Sequence, residues 1–151
     1  MGFVFTNPDA QLVMPTCLED IALSLRRTVK DKRERLAQAQ AILDELGLGD
    51  KTDTPVHALS GGQKQMLALA GVLATDPAIL VADEPTTLLD LRNTRLVGER
   101  LFALSQQLIL VTHDLDLALR CERALVIDDA RVAFDGPPSD AVAFYRDAVD
   151  A

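Results

Sequence analysis

Apolar residues recur at helical spacing through the first half of the chain and gather into short unbroken runs in the second. Thr16 and Glu19 have the spacing of a capping box, and Leu18, Ile21, Ala22 and Leu25 then share one face of a helix. A charged stretch, Val29 to Arg35, leads into a second helix over about Lys32 to Leu46, with Leu36, Ala39, Leu43 and Leu46 facing a core. Gly47 is placed to end it. A polar loop, Gly49 to Ala58, follows. A third helix is predicted from Gly62 to about Thr75, with Met66, Leu69, Ala70 and Leu73 at i, i+3, i+4 and i+7.

The unbroken apolar runs read as strands. Gly2 to Phe5, Ile79 to Ala82 and Leu108 to Val111 are expected as buried strands, Ile79 to Ala82 covered on both faces in a parallel sheet. Ile79 to Ala82 or Leu108 to Val111 is left with an open edge if a neighbouring strand is absent. A helix over about Leu91 to Leu104 lies between the second and third. Asp114 is expected to cap a short helix, Leu115 to Arg120. Ala124 to Ile127 and Arg131 to Phe134 read as two strands joined at Asp128-Asp129-Ala130. Gly136-Pro137-Pro138 breaks the chain, and Ser139 is expected to cap a last helix. The fold class is therefore α/β. No internal repeat or low-complexity segment interrupts it.

Three short stretches carry chemistry. Ser60 precedes the third helix as a plausible N-cap, and Gly61 and Gly62 let a ligand approach backbone amides that attract anions. Taken alone, Ser-Gly-Gly is an ordinary glycine-rich helix start. Asp83 and Glu84 follow the run Ile79 to Ala82, at the strand end where ligands bind in open α/β sheets. Asp83 suits a magnesium ion, and Glu84 suits a base or water-orienting group for attack on a γ-phosphate. His113 follows the next apolar run, on the same sheet edge if the strands are parallel, and is a candidate donor to a phosphate oxygen. His57, beyond Pro55 in the polar loop, reads as a plain loop histidine.

At 151 residues the chain has the size of one domain. It is 48% hydrophobic, but no run is long enough to span a bilayer, and its start has no signal-peptide pattern. A formal charge of −8 argues against nucleic acid as the main partner. The basic run Lys30 to Arg35 reads as a solvated helix start. Cys17 and Cys121 form neither a metal spacing nor a disulfide framework, and are expected as reduced thiols.

Leu59-Ser60-Gly61-Gly62-Gln63, then Ile79 to Pro85, then Val111-Thr112-His113-Asp114, in this order and spacing, resemble the nucleotide-binding domain of ATP-binding-cassette (ABC) proteins. The resemblance covers nearly the whole chain. It implies an incomplete RecA-like P-loop NTPase core with a parallel sheet, plus the ABC helical subdomain. By motif, Ser60, Gly61, Gly62 and Gln63 match the signature, Asp83 the Walker B aspartate, Glu84 the catalytic glutamate, Asp90 the D-loop aspartate and His113 the switch histidine. Phe3-Val4-Phe5-Thr6-Asn7-Pro8-Asp9 looks like the Q-loop segment, with Thr6 where the family has glutamine. Leu88 is bulkier than the small residue common before the D-loop aspartate. A Gly-x-x-x-x-Gly-Lys-Ser/Thr loop is absent from these residues. The chain thus reads as a domain entered in the middle, its Walker A part missing, and is expected to be inactive alone.

The division implied is a Q-loop segment at 1–12, a helical subdomain with the signature at 13–76, and the carboxyl-terminal part of the core at 77–151. The resemblance further implies ATP and Mg2+ as cofactors, and a transport ATPase (a hydrolase and translocase) peripheral to the cytoplasmic face of the cell membrane. The partners implied are a second ABC ATPase subunit, identical or not, and an integral membrane transporter subunit. Signature residues then act across the ATPase dimer, while Asp83, Glu84 and His113 act on the subunit's own ATP. Asn7-Pro8-Asp9-Ala10-Gln11, Leu67 to Ala74 and Val111 to Asp116 look like the ATPases of energy-coupling-factor (ECF) importers, and Pro85 to Asn93 resembles those of biotin import more than of cobalt or nickel. Two other readings exist. One is the carboxyl-terminal ATPase lobe of a chromosome-maintenance or DNA-repair ABC protein, in which the signature follows a long coiled coil. The other is a degenerate regulatory ABC half.

Overall fold

The computed structural model describes residues 1–149. It divides into two compact units, Met1–Val111 and Thr112–Ala151.

In the first unit, β1 (Gly2–Val4), β2 (Ile79–Asp83) and β3 (Gln107–Val111) form a three-stranded sheet in the order β1-β2-β3. Both pairings are parallel, with Phe3 opposite Val81 and Val81 opposite Ile109. The helices α1 (Cys17–Leu25), α2 (Lys32–Glu45), α3 (Gly61–Leu73) and α4 (Leu91–Phe102) complete the unit. One core holds α1, α2 and the loop before α3 together, through Cys17, Ile21, Leu25, Ala39, Leu43, Val56 and Leu67. A second joins α3 and α4 to the sheet through Val4, Leu69, Leu80, Ala82, Val97 and Leu101. The helix α3 therefore contributes to both cores, which fixes its signature end relative to the strands.

Local signals set the helix starts. Thr16 and Glu19 close the expected capping box, and Asp31 caps α2 through the Glu34 amide. Gly47 takes a φ of 69°, the left-handed conformation that ends α2 at low cost. Asp20 is buried and accepts from the amides of Val13 and Met14, both at 2.9 Å, so the loop entering α1 is tied to its first turn.

The strands are less covered than expected. In β2 only Leu80 and Ala82 are buried, Ile79 and Val81 on the other face being partly exposed, and β3 stands at the sheet edge with Ile109 and Val111 about half exposed (46% and 49%). An apolar run states that a strand prefers cover, not that cover exists on both faces. Phe3 and Phe5 are likewise turned outward, their rings 5.0 Å apart, while Gly2 and Val4 are buried.

The second unit contains α5 (Leu115–Ala118), the antiparallel pair β4 (Ala124–Asp128) and β5 (Arg131–Gly136), and α6 (Pro138–Val149). Asp129 and Ala130 both have positive φ, 47° and 58°, so the hairpin turns through two left-handed residues. Arg123 grips Asp135 across it with two hydrogen bonds, 2.7 and 2.6 Å. Phe134 packs on Phe144 of α6 at 5.4 Å. Ser139 does not cap α6, because the helix already begins at Pro138. Proline suits a first helical position, where no amide is needed. The helix α5 is also shorter than expected, ending at Ala118.

Candidate nucleotide site

Ser60 is the N-cap of α3, and its hydroxyl accepts from the Gln63 amide at 3.3 Å. Gln63 returns the contact, its Oε1 accepting from the Ser60 amide at 2.9 Å. This capping box satisfies the Ser60 and Gln63 amides and leaves those of Gly61 and Gly62 at the open end of the helix, where an anion is favoured. Gly61 is exposed and Gly62 is buried. A Cβ on Gly61 would meet only Leu89 Cδ2 at 3.7 Å and the Leu88 carbonyl at 3.8 Å, whereas one on Gly62 would run into the Asn93 side chain. The signature turn thus rests on the 88–93 segment. There Asp90 accepts from the Asn93 amide at 2.8 Å and caps α4.

Asp83 ends β2, paired with Val111 of β3. Glu84 follows with a φ of 47°, in the left-handed region that costs a non-glycine residue about 1–3 kcal/mol. Its amide donates to the Val111 carbonyl at 2.8 Å, and the Thr87 hydroxyl donates to its Oε2 at 2.7 Å. The bend after β2 therefore holds the carboxylate from both the backbone and the side chain. Pro85 and Thr86 behind it are buried.

Thr6, at the position resembling the Q-loop glutamine, is half-buried and its hydroxyl donates to the Asp83 carbonyl at 2.9 Å. His113 lies in the second unit and is exposed. Asp114 beside it caps α5, accepting from the Asp116 and Leu117 amides. His57 is exposed in a 3-10 turn, Val56–Ala58.

Among the described residues no group of three or more His, Cys, Asp or Glu side chains gathers as a metal cage. The two adjacent carboxylates Asp83 and Glu84 fit a hard cation that keeps several waters and takes its other oxygens from a phosphate. A cavity of about 250 Å³ lined by Gly2, Gln11, Asp20, Ser24 and Gly71 contains none of Thr6, Ser60 to Gln63, Asp83, Glu84, Asp90 and His113. Cys17 and Cys121 are free, and burial pushes both thiols up from their ordinary pKa.

Sequence reasoning missed four contributors: Thr87, Asn93, Lys64 and Gln65. The first two lie within four residues of a motif residue, but only the folded bend shows what they touch. The other two make contacts across more than fifty residues and leave no local signal.

A parallel α/β sheet with two acidic residues at the end of its central strand, beside a glycine-opened helix start, defines a nucleotide-binding type of domain. The ABC transporter family model matches residues 6–87. A putative ABC transporter ATP-binding protein of Deinococcus radiodurans is 46% identical over 147 residues, 97% of this chain and 65% of that protein. The biotin transport ATP-binding protein BioM of Rhizobium etli is 42% identical over 147 residues, 97% of this chain and 66% of its own. The solved structure of cbiO1 from Clostridium perfringens, part of the ABC transporter complex cbiONQ, superposes with a TM-score of 0.81 at 32% identity, covering 94% of this chain and 59% of that one. The chain belongs to the ABC transporter family of ATP-binding proteins. It spans 65% and 66% of the length of these two curated relatives.

Proposed function

We propose that this chain belongs to the ATP-binding, ATP-hydrolysing subunit of a membrane importer of the ECF class, carrying a vitamin such as biotin or a transition metal. One observation carries the reading. The open amides of Gly61 and Gly62 and the carboxylates Asp83 and Glu84 lie in one compact unit, the first beside the segment that leaves the second. The importer class and biotin rest on similarity to the biotin transport protein and to cbiO1.

In this reading Ser60, Gly61, Gly62 and Gln63 meet the phosphates of ATP held by a second ABC ATPase subunit, identical or not. Asp83 takes part in holding Mg2+, which when bound neutralises phosphate charge. Glu84 orients a water for attack on the γ-phosphorus and accepts its proton as the bond to the bridging oxygen breaks. His113 is the donor to a γ-phosphate oxygen, Asp90 the D-loop residue and Thr6 the Q-loop position. The segment 1–12, the helical region 13–76 and the part 77–151 are assigned as the Q-loop segment, the helical subdomain and the rest of the core. The subunit works against an integral membrane transporter subunit, peripheral to the cytoplasmic face of the membrane. No described helix is long and apolar enough to cross a membrane itself. Nucleic acid is not among the partners.

The test is a fusion of this chain to a segment that carries a Gly-x-x-x-x-Gly-Lys-Ser/Thr phosphate loop. Magnesium-dependent ATP hydrolysis by the fusion, lost in Ser60→Arg and in Glu84→Gln, supports the reading. Hydrolysis indifferent to both substitutions overturns it.

A further inference from the structure

We infer that Phe5–Asp9 is a strut setting the start of α3 relative to the carboxylate end of β2, and that Lys64 and Gln65 are the positioning residues that hold it. One end is the Thr6 hydroxyl on the Asp83 carbonyl, 2.9 Å. The other is α3 itself. Gln65 is 1% exposed and its Nε2 donates to the Phe5 carbonyl at 3.2 Å. Lys64 Nζ lies 2.7 Å from Asp9 Oδ1, with the Lys64 side chain only 16% exposed. Two consecutive residues of one helix thus grasp both ends of a five-residue segment.

The segment is stiff enough to transmit position. Asn7 caps the 3-10 turn Pro8–Ala10 by accepting from the Asp9 amide, and Pro8 is buried. Gln11 closes the loop back on β1, accepting from the Phe5 amide at 3.2 Å and donating to the Phe3 carbonyl at 3.1 Å. On the helix side, the Lys64 amide donates to the Ser60 carbonyl at 2.9 Å, one turn from the open amides. A shift of Lys64 and Gln65 therefore carries Gly61 and Gly62 with it. The buried Gln65 amide resists such a shift, since it is left unpaired when the Phe5 carbonyl moves, and the Lys64–Asp9 pair, with Lys64 largely covered and Asp9 59% exposed, adds a weaker second hold. This role rests on the ATPase reading for its catalytic consequence, but not for its geometry.

Hydrogen exchange read by mass spectrometry on the 151-residue chain tests the geometry, with no need of ATP. In Lys64→Met and in Gln65→Leu, peptides over Thr6–Asp9 and Ser60–Lys64 should exchange about tenfold faster, the order expected for one lost buried contact. Peptides of α2 should keep their rate. Lys64→Arg should keep protection, and the swap Lys64→Asp with Asp9→Lys should regain most of it. Unchanged protection at Thr6–Asp9 in Lys64→Met, or a rise shared equally by α2, overturns the strut. If Gln65→Leu fails to fold, the Lys64 variants decide. In the phosphate-loop fusion, Lys64→Met should lower kcat about tenfold with KM within about twofold, and Lys64→Arg should restore it. A KM change with kcat intact would contradict the positioning role. A fusion without any hydrolysis counts against the ATPase reading and leaves the exchange result to decide the strut.

Discussion

The Thr87 hydroxyl donates to Glu84 Oε2 at 2.7 Å, and both residues lie on the bend after β2. Glu84 takes part in this contact while its own backbone sits at a φ of 47°. A strained backbone persists only where its surroundings hold it. Here the Val111 carbonyl and the Thr87 hydroxyl supply two of the holds. In the phosphate-loop fusion, Glu84→Gln should slow hydrolysis by about 10²–10⁴-fold, the range of a positioned acid–base group, with ATP binding retained. Thr87→Val should slow it by about three- to tenfold, as for one hydrogen bond to a charged group near the surface. Steady-state rates of both variants and of their combination decide the matter. If Thr87→Val slows the Glu84→Gln protein as much as it slows the parent, Thr87 does not act through Glu84.

The two signature glycines should behave differently. Gly61→Ala places its Cβ at ordinary contact distance, so the fold should keep its stability to within about 1 kcal/mol. Its cost should fall on nucleotide contact, because the methyl group stands where a phosphate would approach. Gly62→Ala must push Asn93 aside, and overpacking of this kind costs about 1–3 kcal/mol. Urea midpoints of the two variants would show it. Equal midpoints would mean that Asn93 yields freely.

The 151-residue chain by itself should show no measurable ATP hydrolysis. Within these residues nothing supplies the loop whose amides and lysine contact the β- and γ-phosphates. Phosphate release by the purified chain, sensitive to magnesium and abolished in Glu84→Gln, would refute this.

What was legible in the sequence is what is local. The capping box at Thr16 and the N-cap at Ser60 rest on side chains three residues from their targets and formed as expected, while the return contact of Gln63 on the Ser60 amide is an addition of the structure. The start of α6 was misplaced by the same kind of reasoning, because Pro138 serves as a first helical residue as readily as Ser139 serves as a cap. That an apolar strand would be left at an open edge was legible, but not that it would be β3 with Ile109 and Val111 half exposed, since hydrophobicity records a strand's preference and not its neighbours. Nor was the left-handed φ of Glu84, which stands where a glutamate before proline would ordinarily be extended. Thr6 and Asp83 meet across 77 residues, and no spacing rule reaches that far.

The Arg123–Asp135 pair makes a pH prediction for the second unit. The hydrogen bonds and charge of Arg123 hold the Asp135 carboxyl below the usual carboxylate range. Its folded pKa is thus below its unfolded one. The contribution to stability is present above the ordinary aspartate value of about 3.9, and is lost as pH falls through the lower folded value. Both side chains are well exposed, so the effect should be small and salt-sensitive. Thermal unfolding of Asp135→Asn and of the parent should converge in strong acid and separate slightly toward pH 6. A gap that widens on acidification would reverse the assignment.

The last prediction concerns the uncovered strand. Phe3, Val81 and Ile109 are aligned across β1, β2 and β3, and Phe3 and Ile109 at the two edges are 39% and 46% exposed. Val111, next on the same face of β3, is 49% exposed. An edge strand with apolar side chains and open backbone groups invites pairing with another chain, and neither a charge nor a proline within β3 blocks it. The 151-residue chain should therefore self-associate in a concentration-dependent way, or be poorly soluble. Ile109→Lys should weaken association strongly, since a lysine on an edge strand opposes pairing. Exchange of the β3 amides should be slower in the associated form than in the dilute one. A monodisperse monomer across the accessible concentration range, with β3 amides already slow to exchange, would show that this edge is protected within one chain.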